Sequence, residues 1–113
     1  MDPFIQRAAR IDILAQYSYY LDQGVPVVAQ RFLAAVHRAV DEAVAMPHAG
    51  APRRTVNPLL AGLRTWPAKG FREHRVYYLV RDDRPTVVRV LHDKHDTAAI
   101  LRGQRIEGAP EFG

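Results

Sequence analysis

From Gly62 to His92 the chain reads GLRTWPAKGFREHRVYYLVRDDRPTVVRVLH, strongly β-patterned runs laced with arginine. Within it, Arg72 to Arg81 places Val76, Tyr78 and Val80 on one side of an extended chain and Tyr77 and Leu79 on the other. Side chains alternate along a strand, so a run that is apolar on both sides predicts a central strand with both faces covered. Asp82-Asp83-Arg84-Pro85 supplies a turn. Thr86 to His92 then returns as the partner strand, with Val88 and Val90 facing one way and Val87, Arg89 and Leu91 the other. Leu63 to Ala68 predicts a shorter strand ahead of Lys69-Gly70, in which Pro67 marks an edge or an early end.

A sheet covered on both faces needs partners, and the first half of the chain supplies helices. Ile13, Leu14, Tyr17, Tyr20 and Leu21 fall in a stripe about 120° wide, with Asp12, Gln16 and Asp22 outside it. Gly24 ends this helix, and Val25-Pro26 opens the next, where a proline at the first position costs no hydrogen bond. In the second helix Val28, Phe32, Ala35, Val36, Ala39, Val40 and Ala43 share one face, while Arg31, His37, Arg38 and Asp41 share the other. The short connection makes the two an antiparallel hairpin, and the alanines let neighbours approach closely. Pro47, Gly50, Pro52 and Pro58 break up the following segment, in which Arg53-Arg54 is expected to be exposed. Asp96 can cap a last short helix from Thr97 to Leu101.

Phe4-Ile5-Gln6 reads as the remnant of a first strand, whereas Met1-Asp2-Pro3 and Glu111-Phe112-Gly113 resemble translated cloning junctions and enter no functional argument. The expected architecture is α+β: an N-terminal helical hairpin packed on a small, mainly antiparallel sheet of three to four strands, with a short C-terminal helix, one domain spanning residues 1–113.

Composition narrows the possible functions. At 48% apolar and 25% charged residues over 113 positions, the chain can bury a core without metal or disulfide support. The absence of cysteine excludes a disulfide framework and a thiolate metal site. No apolar run is long enough to cross a bilayer and no signal-peptide pattern opens the chain, so the expected location is cytoplasmic, with no membrane role. Charge is unevenly spread. Residues 1–50 carry four arginines against five acids, and residues 51–113 carry twelve Lys or Arg against seven acids, so the β-rich half holds all the positive excess. That asymmetry favours an acidic partner, either nucleic acid or an acidic protein segment.

The ordered set Ala8-Ala9-Arg10-Ile11-Asp12-Ile13, Gly24, Ala29-Gln30-Arg31-Phe32, Pro47-His48-Ala49-Gly50, Gly62-Leu63-Arg64-Thr65-Trp66-Pro67, Gly70-Phe71, Val76-Tyr77-Tyr78, Val88-Arg89-Val90-Leu91-His92, Asp96 and Ile100-Leu101 resembles the ParE branch of the RelE/ParE toxins over about residues 5 to 102. The resemblance implies the toxin of a bacterial type II toxin–antitoxin pair. Its partner would be a small DNA-binding antitoxin whose acidic or amphipathic C-terminal segment wraps the toxin in a hetero-oligomer, ordering as it binds. The superfamily divides by chemistry: the RelE branch cleaves mRNA on the ribosome, and the ParE branch poisons DNA gyrase, which requires binding and no catalytic group. A shared fold does not decide between them.

Both readings have candidate residues. RNA cleavage needs an acid, a base and cations for developing phosphorane charge. His74, His92 and His95 are candidates for acid or base, Arg64, Arg72, Arg89 and Lys94 for the cations, and Tyr77 or Tyr78 for stacking a base of the RNA. His92, His95 and Arg89 are the set favoured for catalysis. Against this, the resemblance puts Ala98-Ala99 where nuclease relatives carry a catalytic tyrosine or histidine. His92 and His95 also lack a third ligand, so no metal or cofactor is expected. For a binding surface the candidates are Arg64, Trp66, Arg72, His74, Arg75, Arg89 and Lys94, seats for antitoxin or target. His74 alternates with Val76 and so also suits a place lining the sheet, and Trp66 also suits packing beneath it. Arg89, set among valines, calls for a carboxylate, from Asp93, Asp96 or an antitoxin. Gyrase is the target the resemblance favours, and the ribosome is the alternative.

Overall fold

The computed structural model describes residues 3–108. The elements run β1 (Phe4–Ile5), α1 (Arg7–Asp22), α2 (Pro26–Ala45), β2 (Ala51–Pro52), a 3-10 turn (Pro58–Leu60), β3 (Arg64–Ala68), β4 (Phe71–Arg81), β5 (Arg84–His92) and α3 (Thr97–Arg102). They form one five-stranded sheet in the order β1-β5-β4-β3-β2. The sheet therefore has more strands than the three to four expected, and it is mixed, because β1 runs parallel to β5 while the other pairings are antiparallel. β1 stands where Phe4-Ile5-Gln6 reads as a first strand, and the strand beyond expectation, β2, is two residues long. An element that short carries no period, and β2 lies among prolines and glycine that read as loop. The expectation for the chain ends falls mostly outside the described residues, with only Pro3 inside them.

The hairpin of β4 and β5 closes through Asp82 and Asp83, at φ of 53° and 60°. Two successive left-handed residues match the twist of the flanking strands, and aspartate tolerates that conformation better than most side chains. β4 is central as its pattern predicts. Val76 and Tyr78 are fully buried on the helix side, and Tyr77 is 1% exposed on the other.

The partner strand departs from simple alternation. Tyr77 pairs with Arg89 but Tyr78 pairs with Val87, so β5 carries one extra residue at Val88. This bulge puts Val87 and Val90 in the helix-side core and Val88 and Leu91 in the opposite one. A bulge bends its strand and redirects the neighbouring side chain, here Arg89.

On one face, α1 and α2 bring Ala9, Ile13, Phe32, Val36, Ala39 and Val40 onto Val76, Val87 and Val90, with Trp66 and Phe71 at the margin. The buried face of α2 is the one its period predicts. That of α1 is rotated. Ala9 and Ile13 are buried, while Leu14 and Leu21, expected inside, are 61% and 43% exposed. On the opposite face Leu60, Leu63, Leu101 and Ile106 cover Tyr77, Leu79, Val88 and Leu91. Asn57 ties this second layer together: its amide donates to the carbonyls of Leu101 and Gln104 at 2.9 and 2.8 Å, and its carbonyl accepts from Leu59 N.

Beyond Val87 the outer edge of β5 has no partner strand among the described residues, and side chains complete its bonding. Gln6, 1% exposed, donates from Nε2 to the Val88 carbonyl, and an Asp12 carboxylate oxygen accepts the Val90 amide at 2.9 Å. Unpaired strand edges invite aggregation, and these contacts leave less of this one open. Among the described residues, no helix is long and apolar enough to cross a membrane.

Candidate interaction surface

The sequence candidates separate into side chains committed to the fold and side chains that face outward. Arg89 belongs to the first group. Its guanidinium donates twice to Asp12, at 2.7 Å each, and once to Gln104 at 2.9 Å. Its carboxylate thus comes from α1 and not from Asp93 or Asp96. A forked, largely shielded pair of this kind locks α1 against the strand edge. Arg64 is similarly engaged, donating to the Gly50 carbonyl at 2.8 Å.

Arg64 is part of a clamp on the chain leaving α2. Tyr78 Oη donates to the Pro47 carbonyl at 2.8 Å, and a Cβ on Gly50 would lie 2.2 Å from that hydroxyl. Only glycine permits this approach. Burial raises the Tyr78 pKa above its ordinary 10.0, so the hydroxyl keeps the proton with which it donates.

The histidines form a stacked row at the far end of the sheet. His74 lies edge-on to Phe32 at 5.1 Å and to His92 at 4.7 Å, and His92 to His95 at 6.2 Å. His92 is engaged at both ring nitrogens: Nε2 contacts Glu73 at 2.8 Å and Nδ1 accepts from Lys94 N at 3.0 Å. His95 Nδ1 faces the His92 amide at 3.3 Å. Lys94 and Arg72 are exposed, and Trp66 is half-buried against the helix-side core.

His74 Nε2 is buried without a hydrogen-bond partner among the described residues. Desolvation chiefly, then the neighbouring His92 and His95, lower its pKa from 6.5 to about 4, against opposing effects of Glu73 and Asp93. The folded state therefore binds this proton less readily than the unfolded state. Stability should be intact above pH 6.5, fall as pH drops toward 4, and level off below that. The acid loss from this group is expected to be on the order of 2 kcal/mol. In His74→Leu, urea titrations across this range should show that part of the acid sensitivity gone, with stability at pH 7 equal or higher.

Arg75 lies on the opposite face of the sheet, in a cleft of about 440 Å³ lined by Pro52, Arg53, Thr65, Arg75, Tyr77, Asp93 and Thr97. Arg53 was expected to be solvated. Instead it is half-buried, with its amide donating to the Leu63 carbonyl at 2.8 Å and its guanidinium to Thr97 Oγ1 at 3.0 Å. Arg75 Nε pairs with Asp93 at 3.2 Å. The sequence gives no signal for Arg53 in this role, because the pairing of β2 with β3 and the docking of α3 place it. The outer face of α1 adds a different chemistry, with Ile11, Leu14 and Leu21 all exposed.

The surface therefore combines an apolar helix face, a basic cleft and a row of engaged histidines. Among the described residues, no group of three or more His, Asp or Glu could hold a metal. No curated protein matches the chain. The family described as "ParE toxin of type II toxin-antitoxin system, parDE" matches residues 4–97, from β1 to the first residue of α3. That match takes in the helical hairpin, the whole sheet and both arginines of the cleft, and the chain belongs to the ParE toxin family of type II toxin–antitoxin systems.

Proposed function

We propose that this toxin acts by binding DNA gyrase, without catalysis, and that its antitoxin neutralises it by covering the outer face of α1 and the basic sheet half. Membership of the ParE family carries the reading. The disposition of the nuclease candidates supports it. Arg89 is spent on Asp12, and His92 is held by Glu73 and the Lys94 amide. Arg75 and Arg53, the cations of the cleft, lie on the opposite face of the sheet from His74 and His92. Acid, base and charge stabiliser have to converge within hydrogen-bonding reach of one reacting group, and Arg89 is committed to Asp12 while the cleft arginines face away from His74 and His92. The site of action would be the cytoplasm, where gyrase works.

The exposed Ile11, Leu14 and Leu21 suit the apolar side of an amphipathic antitoxin segment, a common way for a helix or extended peptide to be held. The positive excess of residues 51–113 suits that segment's acids.

Primer extension on a message in a translating extract tests the absence of catalysis. The purified protein is expected to leave the message uncut. Codon-phased cleavage that disappears in His92→Ala would replace this reading with the ribosome-dependent nuclease.

A further inference from the structure

The floor of the cleft is made by two hydroxyls that the fold leaves unused. Thr65 and Tyr77 are directly paired residues of β3 and β4, so their side chains stand side by side on one face. They are 6% and 1% exposed, and both line the cleft. No hydrogen bond to another described residue engages either hydroxyl, and among the described residues the only buried side-chain polar atom without a partner is His74 Nε2, so both hydroxyls are open to solvent through the cleft. They are free to donate to a group that enters it.

The rim identifies that group's charge. Arg53 is held by a neutral oxygen, that of Thr97, so its charge is not neutralised there. Arg75 offers Asp93 only its Nε, which leaves its terminal nitrogens available. Two arginines and one aspartate give the lining a single net positive charge. Guanidinium and hydroxyl donors around one such charge suit a monoanionic oxygen acid.

We propose that the cleft receives one carboxylate side chain, an Asp or Glu of the antitoxin, seated between Arg53 and Arg75 and hydrogen-bonded by Thr65 and Tyr77. This rests on the antitoxin reading above and specifies one of its contacts. A phosphodiester has the same charge, but sites for single-stranded nucleic acid also present aromatic faces for bases to stack on. Among the described residues that line this cleft, the only aromatic ring is that of Tyr77, and it is covered. The partner's backbone would not extend the sheet here, because Pro52, on the edge strand β2, has no amide hydrogen to offer it.

Two measurements test the proposal. The affinity of the cognate antitoxin is compared for the native chain, Arg53→Gln, Arg75→Gln and Tyr77→Phe, the last removing only the hydroxyl. Each arginine variant is expected to weaken binding about tenfold or more, and Tyr77→Phe about fivefold. Separately, the arginine side-chain nitrogen signals of the free protein are followed during titration with acetate or with dimethyl phosphate. Acetate should shift those of Arg53 and Arg75 at the lower concentration. Native binding with all three variants within twofold of it would overturn the carboxylate seat and leave the antitoxin reading standing. A stronger response to dimethyl phosphate would overturn the assignment in favour of a phosphodiester. No binding by the native chain would overturn the antitoxin reading itself.

Discussion

Arg89→Met should lower the stability of the protein by about 3 kcal/mol, the cost typical of stranding one partner of a shielded ion pair. The substitution keeps most of the side-chain volume, so the loss reports on Asp12, which is left 11% exposed without its cation. Urea denaturation monitored by circular dichroism measures it. Asp12→Asn in the same chain removes the stranded charge and retains an oxygen to accept the Val90 amide. The double variant should therefore recover at least half of the loss, a coupling that a purely steric role for Arg89 would not produce. Because the pair joins α1 to the edge of β5, weaker antitoxin binding by Arg89 variants would follow from a loosened helix and would not by itself locate the interface.

The second large effect belongs to the face of α1 that points away from the sheet. Leu14→Asp combined with Leu21→Asp should weaken the toxin–antitoxin complex by about 100-fold, as loss of central apolar anchors does at other interfaces. Isothermal calorimetry measures the affinity. Both residues are substantially exposed in the free toxin, so its own stability should change by less than about 1 kcal/mol. An affinity within threefold of the native value would move the antitoxin off this helix.

The residues that fold the protein were legible from sequence wherever a period ran long enough to be counted. Phe32, Val36, Ala39 and Val40 repeat over about two turns of helix, and Val76 to Val80 alternates between two covered faces, so both elements lie where their patterns put them. On α1 the counted stripe misplaces the buried face. Leu14, Tyr17, Tyr20 and Leu21 share one side, but the face that packs is set by Ala9 and Ile13 and by the demand of Arg89 for Asp12. Asp12 had been placed on the wet side, because a period assigns carboxylates to water and is blind to a cation 77 positions later.

The candidate surface was legible in its charge but not in its shape. Arg75 was identified as a binding residue from its place in a basic strand. Thr65 and Thr97 read as ordinary strand and helix residues, Tyr77 as a strand residue able to stack on a base, and Arg53 as a solvated loop arginine. Their convergence depends on the β2–β3 pairing and on α3 held down by Asn57, contacts between segments 12 to 44 residues apart for which no local pattern exists. The bulge at Val88 was hidden in the same way. The two hydrophobic pairs either side of Arg89 in VVRVL satisfy either register, and only pairing with Tyr77 and Tyr78 reveals the extra residue.

The central claim is that this ParE-family toxin works by holding gyrase and not by cutting RNA. Supercoiling of relaxed plasmid by purified gyrase, followed as toxin is added, tests it most directly. Supercoiling should fall with toxin concentration, recover when antitoxin is supplied, and fall equally with His92→Ala, whose ring nitrogens serve the fold. Undiminished supercoiling at toxin concentrations that arrest a translating extract would contradict the account.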